Sequence, residues 1–109
     1  MDYFVSVDNS VFNRWQLELL IESFKFYELE DSLSVALSDV NENGLQIFDK
    51  NLKNHKRKVT YADYGAIRGY KPLNFLYNLY FAVRDGVVAQ PFYCLSPDVV
   101  LKKIPQTEF

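Results

Sequence analysis

The sequence predicts an α/β fold: a Rossmann-like, mainly parallel four-stranded sheet with helices on its faces, formed as a single domain over residues 1–109. Three observations predict it. Short runs of β-forming residues alternate with segments of helical periodicity in the order β-α-β-α-β-α-β, which calls for right-handed crossovers between parallel strands. Each of the four strand-like runs ends near an aspartate: Asp8, Asp39, Asp63 and, after a Ser-Pro turn, Asp98. The composition is 49% hydrophobic with 9 Phe and 8 Tyr, which excludes a disordered chain and supplies a packed interior.

The first strand is read over residues 3–8, where Phe4, Val5 and Val7 are β-formers with little charge between them. Asp8-Asn9-Ser10 then offers three good helix N-cap residues in a row. From about Asn13 to Tyr27, Leu17, Leu20, Ile21 and Phe24 recur at helical spacing. Trp15 and Leu19 are expected to widen that stripe, and Glu18, Glu22 and Lys25 to face away from it. Strand, tight loop and helix form the opening half of a Rossmann-like unit, whose free N–H groups can hold a phosphate or a ribose hydroxyl. The same residues also suit a plain capped helix.

Residues 33–38 form the second strand. The stretch Asp39-Val40-Asn41-Glu42-Asn43-Gly44 follows the opening of a calcium loop, but Lys50 stands where the bidentate Glu belongs, so a turn before a helix is the better reading. A short helix is expected over Leu45 to about Asn54, running into a cationic cluster from Lys50 to Lys58 that is read as a solvated helix end complementing the dipole. His55, inside that cluster, has no second His or Cys for a zinc site and is expected at the surface. Val59–Ala62 is the third strand. Pro72 then opens a helix in which Leu73, Leu76, Tyr80 and Val83 share one face, and Asp85-Gly86 stops it. The fourth strand covers about Pro91–Leu95 and contains the single cysteine, Cys94, expected buried and inert.

In the doubly wound strand order 3-2-1-4 the first and fourth strands are neighbours, and the topological switch point lies between them. That places Asp8, Asn9 and Ser10 beside Ser96 and Asp98 at the carboxyl rim, where open α/β sheets bind ligands. Carboxylates gathered there suit Mg²⁺ or Mn²⁺, which take oxygen ligands. Aspartates also end strands merely as caps of turns and helices. No residue stands out as catalytic.

A formal charge of -2 gives no general attraction for nucleic acid or an anionic membrane. No apolar run approaches the length of a bilayer span, and the start of the chain lacks the pattern of a secretory signal, so a cytoplasmic protein is expected.

Three blocks carry a resemblance: Trp15-Gln16-Leu17-Glu18-Leu19-Leu20 with Ser23, then Tyr70-Lys71-Pro72-Leu73-Asn74, then Leu95-Ser96-Pro97-Asp98-Val99-Val100 with Pro105. In order and spacing they resemble the nucleotide-sugar-binding half of GT-A glycosyltransferases of the hydroxyproline O-arabinosyltransferase and peptidyl-serine galactosyltransferase type, over roughly residues 5–105. The resemblance implies that Asp8–Ser10 and Asp39 border the nucleoside and that Asn74 lies near the diphosphate or sugar. It also implies that Asp98 matches the second acid of the family's Asp-Pro-Asp metal motif. Ser96 replaces the first, and as a neutral oxygen donor it leaves Mn²⁺ or Mg²⁺ weakly held. Glycosyl transfer would need the acceptor-binding half of such an enzyme, so a partner protein or a homo-oligomer is expected to complete the site. The competing expectation is a non-catalytic assembly or interaction protein that retains the fold.

Overall fold

Residue alternation assigns the two faces of the sheet. On the first strand, β1 (Asp2–Val7), Tyr3, Val5 and Val7 go to one face and Phe4 and Ser6 to the other. The computed structural model describes residues 2–8, 10–38, 45, 49–70, 72–88 and 91–96. Within them β1 is followed by α1 (Val11–Phe26), a 3₁₀ turn (Glu30–Ser32), β2 (Leu33–Ser38), α2 (Lys50–Asn54), β3 (Lys58–Tyr61), α3 (Tyr64–Ile67), α4 (Leu73–Arg84) and β4 (Phe92–Leu95). The sheet has the order β3-β2-β1-β4 with every pair parallel, as the strand pattern predicts.

One face of the sheet is apolar over β1 and β2. Leu17, Leu20, Ile21 and Phe24 of α1 and Leu52 of α2 pack on Tyr3, Val5, Val7, Leu33, Val35 and Leu37. The Tyr3 ring meets Phe24 edge-on at 5.3 Å. Ser10 starts α1 in an extended conformation, its hydroxyl accepting from the Asn13 N–H at 3.3 Å. At the other end Glu28 closes the helix in the left-handed region, at φ 58°.

Trp15 and Leu19 do not widen the buried stripe; they are 55% and 48% exposed. At about 100° per residue, Leu19 lies some 200° around the helix from Leu17, and Trp15 a similar angle the other way. Glu18, expected to face solvent, is half-buried instead and accepts from the N–H groups of Asn51 and Leu52 at 2.9 and 2.7 Å. It therefore caps the start of α2.

The second face is built differently. Phe4, Ala36, Ala82 and Val88 make a small apolar cluster. Around it runs a polar layer in which Asn78 Nδ2 donates to the hydroxyls of Ser6 and Ser38, both at 2.8 Å. Ser34 donates to the Val87 carbonyl at 3.1 Å.

This overturns the expected orientation of α4. Its buried residues are Asn74, Asn78 and Ala82, and Leu76, Tyr80 and Val83 point outward, 60%, 64% and 38% exposed. The cause lies in the strands: with Ser6 and Ser38 on this face, the Asn78 amide satisfies hydroxyls that a leucine there would strand.

His55 and Cys94 are also corrected. His55 is buried, its Nε2 2.6 Å from the Leu33 carbonyl, because the chain between α2 and β3 tucks under the start of β2. Cys94 is exposed. It lies beside Phe4 on the edge strand, on the face of α4, which packs over β1 and β2 and leaves the edge open. Part of the cationic cluster is tied down as well. Lys58 donates to the Leu52 and Lys53 carbonyls that end α2, and Arg57 pairs with Asp2 at 2.9 Å.

Candidate functional site

The parallel sheet brings the residues that follow each strand to one rim. Val7 pairs with Leu37 and Ser38 with Tyr61, so Asp8 and Asp63 leave the sheet at neighbouring levels. Asn74, in the first turn of α4, joins them. Its Nδ2 donates to Asp8 Oδ1 at 3.1 Å and to Asp63 Oδ1 at 2.7 Å, and its Oδ1 accepts from the Gly65 N–H at 2.7 Å. Asp63 also accepts from the Ala66 N–H and so caps α3. One buried amide thus fixes the ends of β1 and β3 and the starts of α3 and α4.

Of the residues expected to bind a nucleotide, Asp8 and Asn74 are in direct contact, and Ser10 follows at the start of α1. The Ser10 hydroxyl is engaged with Asn13, and its N–H donates to the Asp8 carbonyl at 2.8 Å. With both amide hydrogens and its oxygen in use, Asn74 acts as a tie between elements. Asn9 and Asp39 lie outside the described residues, as do Asp98 and the Asp39–Gly44 stretch. Asp63 was not among the expected binding residues, although its place at the end of the third strand was the available signal.

Ser96 is exposed, one residue beyond β4. Leu95 pairs with Val5, so Ser96 stands level with Ser6 rather than Asp8. Among the described residues no group of three or more His, Cys, Asp or Glu side chains is placed to hold a metal ion.

Several perturbed groups lie away from the rim or are unsuited to proton transfer there. Burial, followed by the hydrogen bond to Asp85, pushes the Tyr61 hydroxyl up to about 12. Partial burial also pushes the Cys94 thiol up, so it is not an activated nucleophile. A polar concavity of about 200 Å³, lined in part by Lys25, Glu30, Asn54 and His55, sits at the opposite, amino end of the sheet. Beside the first turn of α1, sequence reading also missed an ion pair: Arg14 lies 3.8 Å from Asp49, with side chains 5% and 0% exposed.

Comparison with known proteins adds no relative: no family model, curated protein or solved structure matches the chain. No helix among the described residues is long and apolar enough to cross a membrane.

Proposed function

We propose that the carboxyl rim binds a nucleotide or nucleotide-sugar, as in the donor-binding half of a GT-A glycosyltransferase. The observation that carries this reading is the carboxylate of Asp8, held by Asn74 at the end of β1, beside the switch point and the start of α1. A fixed carboxylate accepts well from ribose hydroxyls or a base N–H, and the free N–H groups at the start of α1 favour phosphate. Mn²⁺ or Mg²⁺ enters the proposal only through Asp98 with Ser96. Glycosyl transfer belongs to it with a partner chain that supplies the acceptor site.

The test is a thermal-shift and calorimetric titration with UDP- and GDP-sugars, with and without Mn²⁺. Stabilisation by a nucleotide that is lost in Asp8→Ala is expected, and any Mn²⁺-dependent part is lost in Asp98→Ala. Absence of any response to nucleotides in the folded wild-type chain sinks the reading. The second reading, a non-catalytic interaction protein, is favoured by the apolar side chains that α1 and α4 turn outward.

A further inference from the structure

The outward face of α4 is the feature of this molecule least explained by its own fold. The 12-residue helix carries a single charged side chain, Arg84, at its last position. Its polar residues Asn74 and Asn78 are turned inward, so Leu76, Leu79, Tyr80 and Val83 line an open groove of about 450 Å³ that Arg84 borders. Leu76, Tyr80 and Val83 follow each other at spacings of four and three, the repeat of a helix-pairing seam. A surface helix that served only its own sheet would present the opposite pattern.

We infer that this face is the contact between two copies of the chain, packed α4 against α4 in antiparallel fashion about a two-fold axis. Self-complementarity is the first argument. With the axis between Leu79 and Tyr80, Leu76 of each copy faces Val83 of the other and the two Tyr80 side chains lie beside each other at the centre, so the seam closes on itself as an isologous contact requires. Charge is the second. No like charges meet along the seam, and the two Arg84 side chains fall at opposite ends of it, on the rim where Arg is favoured.

Area is the third argument. With about 200 Å² to a large side chain, the exposures of Leu76, Tyr80 and Val83 and of the flanking Phe75 and Arg84 leave roughly 500 Å² per copy. A pair then buries about 1,000 Å², the lower bound for a specific interface, which makes the dimer weak and concentration-dependent. The exposed stripe of α1, with Phe12, Trp15 and Leu19, is the less suitable self-contact. It continues through Glu22, which an antiparallel pairing of the stripe sets against Phe12 of the other copy, a carboxylate against an apolar ring. The inference goes beyond the nucleotide proposal and does not depend on it, since α4 meets the rim through its buried face.

Sedimentation equilibrium of the folded chain from low micromolar to near-millimolar concentration tests it. A monomer–dimer equilibrium is expected, with the dissociation constant raised at least about tenfold by Tyr80→Glu and unchanged by Trp15→Glu. In a Cys94→Ser background, Tyr80→Cys is expected to cross-link to a covalent dimer under mild oxidation by oxidised glutathione, whereas Phe12→Cys is not. A chain that stays monomeric throughout, or a dimer that survives Tyr80→Glu, overturns the inference. So does loss of the dimer in Trp15→Glu alone. Circular dichroism confirms folding of each variant, and nucleotide titration of Tyr80→Glu keeps this test separate from that of the rim.

Discussion

The side-chain amide of Asn74 lies 3.1 Å from the carboxylate of Asp8, joining residues 66 positions apart. With its bonds to Asp63 and Gly65, it makes α4 the clamp of the whole rim. Asn74→Ala leaves the buried Gly65 N–H without its acceptor and two neighbouring carboxylates without a shared donor. A loss of about 2–4 kcal/mol is expected, read as a lower denaturation midpoint at constant m-value. A loss below about 1 kcal/mol would show that the bridge adds little.

Arg14 and Asp49 form the matching buried contact on the other side of the sheet. Replacing only the cation leaves a wholly buried carboxylate without it, so Arg14→Leu is expected to cost about 3–5 kcal/mol. Arg14→Leu combined with Asp49→Leu is expected to recover much of that loss, because both desolvation penalties disappear together. Chemical denaturation of the two single variants and the double variant checks the coupling. Simple additivity contradicts it.

The strands were legible because their information is local. Phe4-Val5, Val35 and Val59 announce β-structure by residue type, and parallel order follows from the intervening helices, which leave few right-handed arrangements. Orientation of α4 was not legible in the same way. An apolar row on a helix normally marks the buried side, and the row Leu76, Tyr80, Val83 obeys the period while facing outward. What decides the matter is the pair of serines Ser6 and Ser38, distant in sequence, whose hydroxyls meet the Asn78 amide. His55 escaped for the same reason: its acceptor, the Leu33 carbonyl, is 22 residues away. At the site, Asp8 and Asn74 were legible as residues, but the amide bridge between Asp8 and Asp63 was not.

Glu18 supports α2 from outside that helix, taking the N–H groups of Asn51 and Leu52 at its start. Such groups have no partner within a helix, and α2 is only five residues long. Glu18→Ala is expected to cost about 1–2 kcal/mol, in the range of a lost N-cap. The loss should be localised: hydrogen exchange at Asn51 and Leu52 accelerates while that of β1 amides keeps pace only with global stability. Unchanged protection at those two amides would contradict the capping role.

His55 gives the fold a pH dependence whose sign can be worked out. Burial, the larger influence, holds its imidazole below the ordinary value of 6.5, and the Leu33 carbonyl opposes that shift only in part. The unfolded chain therefore takes up this proton before the folded one does. The contribution to stability is fully present above pH 6.5 and is lost as pH falls from there through the lower folded-state value. His55→Gln retains an N–H that can reach the Leu33 carbonyl but does not titrate, so its unfolding free energy is expected to fall less steeply on acidification over this window. Urea denaturation of both proteins at closely spaced pH values measures the difference in slope. Parallel curves would mean that His55 carries the same proton affinity folded and unfolded, in conflict with its burial.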